Sequence, residues 1–164
     1  MTRATKLMDE GRYQEAVAAA LAQASEVPQA ASFGELAYAY LGVGDRERAL
    51  DAVNRAVQMA PEEPAYRFLR ARVEFMLHRP SEAGEDLEQV ELLSERFNNF
   101  YYVDSARLLA AACRVEVGDS EGAFALLAQL TRAVKVHAGR LLTNAGVAQA
   151  ARDLKRPRGQ LSLS

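Results

Sequence analysis

The chain has 164 residues, with 20 basic and 22 acidic side chains and a formal net charge of −2, so no strong field draws it to nucleic acid or to an anionic membrane surface. Its length suits one globular domain or one short repeat array, and an apolar fraction of 49% excludes a wholly disordered chain. Charges at Arg3, Lys6, Asp9 and Glu10 interrupt any apolar leader, and no long uncharged apolar run offers a membrane span; together these set the expectation of a cytoplasmic protein with no membrane insertion. One cysteine, Cys113, and two histidines, His78 and His137, make neither an internal disulfide nor a histidine-rich metal site. The excess of arginine over lysine and the abundant alanine suggest a GC-rich, bacterial source.

Apolar residues recurring at three- and four-residue steps predict helices over 2–10, 13–25, 30–42, 46–59, 64–77, 81–96, 101–117, 120–135 and 139–154. The first helix is short, carrying Ala4 and Leu7, and ends at the turn Gly11-Arg12-Tyr13-Gln14-Glu15-Ala16. Pro28 closes the first pair. Phe33, Leu36, Ala37, Tyr40 and Leu41 form the next apolar stripe, and Gly44-Asp45-Arg46-Glu47-Arg48-Ala49 repeats the earlier turn. Glycine there tolerates the left-handed backbone that ends a helix. Ala49, Leu50, Val53, Ala56 and Val57 continue the pattern up to Pro61. A third turn, His78-Arg79-Pro80-Ser81-Glu82-Ala83, has His78 at the glycine position, and a fourth, Gly118-Asp119-Ser120-Glu121-Gly122-Ala123, restores the glycine. The turn alanines fall at 16, 49, 83 and 123, intervals of 33, 34 and then 40 residues, and a period near 34 is that of a helix–turn–helix repeat.

On these residues the chain resembles the tetratricopeptide repeat (TPR) family. The second unit carries the resemblance best, through Leu36-Ala37, Tyr40, Gly44, Ala49, Ala56 and Pro61; the usual tryptophan is missing throughout, and related right-handed helical-hairpin repeats share the same signal. The resemblance implies an all-α fold: a right-handed superhelix of antiparallel helix pairs, an α-solenoid. It assigns residues 1–154 to a single domain of about four pairs, the first truncated, with a C-terminal capping helix over 139–154. A stacked array leaves its last apolar face open, so such a cap is expected. Residues 155–164, with Lys155, Arg156 and Arg158, read as a flexible tail.

The resemblance also assigns the inner, concave wall to the first helix of each pair. The partner-binding residues it implies are Met8, Tyr38, Leu41, Phe68, Arg72, Phe75, Leu108, Ala112 and Val115. This largely apolar wall, with Arg72 near its middle, suits an extended peptide or an amphipathic helix. Phe68 and Phe75 serve either as such anchors or as core, packed against the C-terminal helix or inside the array, and that capping helix, folded back, would occupy the groove. The extra residues of the last interval hold four aromatics, Phe97, Phe100, Tyr101 and Tyr102, read either as local packing or as an accessory lip. The Lys and Asn clamp with which chaperone-binding members hold a terminal carboxylate is absent: its places hold Thr5, Tyr38, Arg72 and Ala112.

No nucleophile elbow, phosphate-binding loop or dinucleotide fingerprint occurs, and Cys113 sits among Ala110, Ala111 and Ala112 as a small packing residue. The expectation is a non-enzymatic protein–protein interaction module, an adaptor, scaffold or chaperone, with no catalytic residues, no metal and no cofactor. Its partner is another protein or peptide. The competing readings are a self-associating subunit of a larger assembly and a bacterial secretion-system chaperone.

Overall fold

Ala16, Ala49, Ala83 and Ala123 are all 0% exposed. Each lies in the first turn and a half of the second helix of a pair, where a larger side chain would hold the two helices apart. In the computed structural model, which describes residues 1–155, the pairs are α1 (Arg3–Asp9) with α2 (Tyr13–Glu26), α3 (Ala30–Gly42) with α4 (Arg46–Met59), α5 (Pro64–Met76) with α6 (Pro80–Phe97), and α7 (Val103–Glu116) with α8 (Ser120–Ala128). The second helix of each pair packs in turn on the first helix of the next. Successive pairs therefore stack side by side, the architecture of a solenoid.

The four turns share one backbone device. Gly11, Gly44, His78 and Gly118 all lie in the left-handed region, with φ of 74°, 80°, 59° and 82°, so His78 takes a conformation that its neighbours assign to glycine. After two of these turns an aspartate starts the next helix: Asp45 accepts from the Arg48 amide at 3.0 Å and Asp119 from the Gly122 amide at 2.8 Å. The inserted residues lengthen α6 to Phe97, where Asn98 stops it with φ 52°.

The apolar interior falls into two clusters that meet at α5. Leu69 and Val73 of α5 join the cluster built from α1 to α4, while Phe68, Ala71 and Phe75 join the one built from α6 to α9.

The expected single capping helix over 139–154 is corrected. The eighth helix ends at Ala128 rather than 135, and β1 (Lys135–Ala138) and β2 (Arg140–Thr143) form an antiparallel hairpin before α9 (Asn144–Leu154). Val136 stands opposite Leu142, and Gly139 alone makes the turn with φ 72°. The pattern here has period two: Val136, Ala138 and Leu142 are buried while Lys135, His137 and Leu141 face out, which a helix would not achieve. Tertiary hydrogen bonds draw the chain off the axis of α8. Asp104 at the start of α7 accepts from the Thr131 amide at 3.0 Å and from the Thr131 hydroxyl at 2.6 Å. Asn144 closes the base of the hairpin, accepting from the Val134 amide at 3.2 Å and donating to the Arg132 carbonyl at 3.4 Å. The cap on the solenoid end is thus α9, which packs on α8 and α7. Past Lys155, the tail expected over 155–164 lies outside the described residues.

Candidate functional site: the inner wall and its hairpin

The first helices of the pairs, α1, α3, α5 and α7, supply the inner wall, and the hairpin lies on it. β1 packs on α5 and α7, and β2 on α7 and α9. Its apolar side chains Val136, Ala138 and Leu142 enter one cluster with Phe68, Phe75, Leu108 and Ala112, all of them buried. Those four wall residues, expected to meet an outside partner, are covered by the chain itself over the third and fourth pairs. The reason is energetic: burying large apolar side chains such as Phe68, Phe75 and Leu108 stabilises the fold by roughly 1.5–3 kcal/mol each, and the hairpin supplies the missing surface. The groove-filling alternative is realised by strands rather than by a helix.

Arg72 marks the border of the covered zone. Its Nε donates to the His137 carbonyl at 2.9 Å, and its guanidinium carbon lies 6.0 Å from the centroid of the Tyr38 ring. Arg140 braces the other side of the hairpin, donating to Glu116 at 2.7 Å with its guanidinium carbon 5.5 Å from the Phe75 ring centroid. Arg46 donates to the Met76 carbonyl at 3.0 Å beneath the hairpin turn.

Beyond Arg72, toward the N-terminus, the wall is open. Tyr38 is 46% exposed, while Met8 and Leu41 are half-buried against the first core cluster. Thr2 and Thr5 donate to the Glu35 carboxylate, the latter from its amide at 3.1 Å and its hydroxyl at 2.6 Å, which pins α1 to α3. β1 pairs with β2 along one edge only, and no third strand joins the sheet among the described residues. On β1 the His137 carbonyl is capped by the Arg72 guanidinium. Val115 is half-buried and, with Ala112, Leu141, Leu142 and Val147, lines a small apolar pocket of about 360 Å³ between α7, β2 and α9. Sequence reasoning missed the hairpin residues altogether. Their one local signal was the alternation of Val134, Lys135, Val136, His137 and Ala138 ahead of Gly139.

The aromatic cluster divides. Tyr102 turns inward, its ring centroid 5.4 Å from that of Phe68, and Tyr101 meets it edge-on at 4.8 Å. Phe97, Phe100 and Tyr101 stay exposed, Tyr101 by 71%. Phe97 borders a shallow cavity of about 480 Å³ with Pro61 and Pro64.

Three of the side chains with displaced proton affinities bear on the wall and its supports. Burial pushes the Cys113 thiol up to about 12, with Glu116 adding to it, which leaves the sulfur protonated and inert as a nucleophile. Burial likewise raises Glu74, between α5 and α6, to about 7; Asp86 adds to the shift and Arg70 opposes it. At Asp104 burial acts upward, but the hydrogen bonds from Thr131 and the charges of Arg132 and Arg107 outweigh it, so the carboxyl sits below its ordinary value. Among the described residues no group of three or more His, Cys, Asp or Glu side chains is placed to hold a metal ion, and no helix is long and apolar enough to cross a membrane.

No family model matches the sequence, and no curated protein matches it. Solved structures do. MamA superposes with a TM-score of 0.68 at 13% identity over 98% of this chain and 93% of that one. The type III secretion chaperone SycD of Yersinia enterocolitica, in complex with a peptide of the translocator YopD, gives 0.63 at 17% identity over 70% and 88%. The thermophilic TPR protein TTC0263 of Thermus thermophilus gives 0.64 at 19% identity over 77% and 68%. The fold is therefore the tetratricopeptide-repeat solenoid, an all-α array of helix pairs here carrying one hairpin on its inner wall.

Proposed function

We propose that the protein is a non-catalytic interaction module whose inner wall, between α1 and Arg72, takes a peptide segment of a partner protein. The observation that carries this reading is the division of the wall at Arg72. The hairpin fills the C-terminal half, while Tyr38 remains exposed in the other half beside the Arg72 guanidinium. An exposed aromatic next to a positioned guanidinium is the usual energetic centre of a contact, and an apolar wall beside it suits an extended peptide or an amphipathic helix. Met8 and Leu41 supply apolar area on either side. The accessible subset of the wall is thus Met8, Tyr38, Leu41 and Arg72, with Val115 set apart in its own pocket and the exposed Phe97, Phe100 and Tyr101 as an accessory lip. SycD, a chaperone of the same fold solved with a peptide, lends this reading support by analogy.

The test is capture from the source cell with the full chain as bait, followed by mass spectrometry. Tyr38→Ala removes an exposed ring and leaves the core intact, so its circular dichroism should match that of the parent. The expected result is a partner recovered with the parent and lost with Tyr38→Ala. Equal recovery by both would overturn the wall assignment. A parent chain that sediments as an oligomer and captures only itself would favour the self-associating role instead.

A further inference from the structure

The outer face carries a second cleft, independent of the inner wall. α6 and α8 both pack on α7, and between them runs a cleft of about 640 Å³ floored by α7, with Leu87, Ala110, Cys113 and Leu126 among its lining. Leu92 stands in its α6 wall at 57% exposure, and Val117 ends it at 54%. Isolated apolar side chains on a surface need no explanation, but two of them opening onto an apolar-floored cleft of this volume form a patch that water solvates poorly.

Charge decides what fits there. Glu85, Glu88, Glu91 and Glu95 of α6 line the cleft, and their spacing of three, three and four residues sets them in one stripe along the helix. Glu91 is paired with Arg107 at 3.1 Å, and the one arginine of the lining, Arg114, is paired with Asp119 at 3.4 Å. Glu85, Glu88 and Glu95 have no ion pair among the described residues. The α6 wall is therefore a row of uncompensated carboxylates above an apolar floor. From Ser81 to Glu95 it runs for about 21 Å, some four helical turns.

We infer that this outer cleft is a docking site for a basic amphipathic helix of a partner protein. Such a helix lays an apolar stripe on Leu92, Val117 and Leu126 and turns lysines or arginines toward Glu85, Glu88 and Glu95. Three features point to this occupant. The cleft lies between two helices over a third, so a seated helix repeats the packing that α6 and α8 themselves make on α7. The uncompensated charge is of one sign and favours a cationic partner in both encounter and register. An acidic or neutral helix would leave the carboxylates facing apolar surface or like charge, which disfavours it.

The test uses a fluorescein-labelled synthetic peptide of about four helical turns, with leucines at helical spacing and lysines on the flanks, and a companion with glutamates in place of the lysines. Anisotropy titrations against the full chain should show binding of the lysine peptide only, weakened at high salt. Affinity should fall about tenfold or more in the triple variant Glu85→Lys/Glu88→Lys/Glu95→Lys and, separately, in Leu92→Asp. Both variants alter exposed side chains, and circular dichroism checks that they fold. Tyr38→Ala should bind the peptide as the parent does, which separates this site from the inner wall. Undetectable binding, equal affinity for the two peptides, equal affinity in the variants, or loss in Tyr38→Ala alone would overturn the inference. A parent dimer that the triple variant dissociates would also overturn it, by assigning the cleft to a second copy.

Discussion

Glu74 has 12% of its side chain exposed, and its carboxylate oxygen Oε2 has no hydrogen-bond partner. Arg70 is 4.0 Å from the carboxylate but binds Asp86 at 2.5 Å, so the cation between the two acids is committed to Asp86. The native state consequently keeps the Glu74 proton up to about pH 7, whereas the unfolded chain releases it near 4.5. Between those values the native state binds more protons, so stability falls as pH rises through this window. The full shift corresponds to roughly 3 kcal/mol as an upper bound. Glu74→Gln removes the titration. Its melting temperature should match that of the parent near pH 5 and exceed it by about 5 °C near pH 8, as followed by circular dichroism. A parent with a flat melting temperature across that range would refute the argument. Asp104 has the opposite sign: held below its ordinary value, it contributes stability at neutral pH that is lost only on strong acidification.

Asp104 matters more as the anchor of an element. Its carboxylate takes both donors of Thr131, on the segment that leads into β1. Removing it frees the exposed Thr131 and deletes two hydrogen bonds to a buried carboxylate, together about 1–3 kcal/mol. In Asp104→Ala the hairpin amides from Val136 to Ala138 should lose hydrogen-exchange protection by about tenfold or more, with those of α3 and α4 unchanged. Unchanged protection in β1 would show that Arg72 and the apolar face hold the hairpin unaided. This tie also explains what the sequence could and could not convey. The alanines at 16, 49, 83 and 123 and the four left-handed turns are local features at fixed intervals, so the pairs could be read from the chain with boundaries close to those observed through Glu116. The hairpin depends on a bond spanning 27 residues and on apolar wall left uncovered by the array, and its only local mark is the short alternation ahead of Gly139. The repeat register placed Phe68, Phe75, Leu108 and Ala112 on the inner wall, but register says nothing of what lies over a wall. Tyr38, by the same register, is the position that stayed open.

At the scale of the molecule the interior is two cores sharing α5, not one. Leu50 belongs to the first, and Leu109, fully buried, to the second. In a solenoid each unit touches only its neighbours, so stability is a sum of local and nearest-neighbour contributions and a defect need not spread. Leu50→Ala and Leu109→Ala should each cost about 2–5 kcal/mol, yet act on different halves. Hydrogen exchange should show Leu50→Ala deprotecting α2, α3 and α4 while α7 and α9 keep most of their protection, and Leu109→Ala doing the reverse. α5, which contributes Leu69 to one core and Phe75 to the other, should lose protection in both variants. Uniform loss across the chain in either one would mean that the two clusters unfold as a single unit. The hairpin would then stabilise the whole array, whereas two separable halves leave the open inner wall beside Tyr38 to move independently of the covered one.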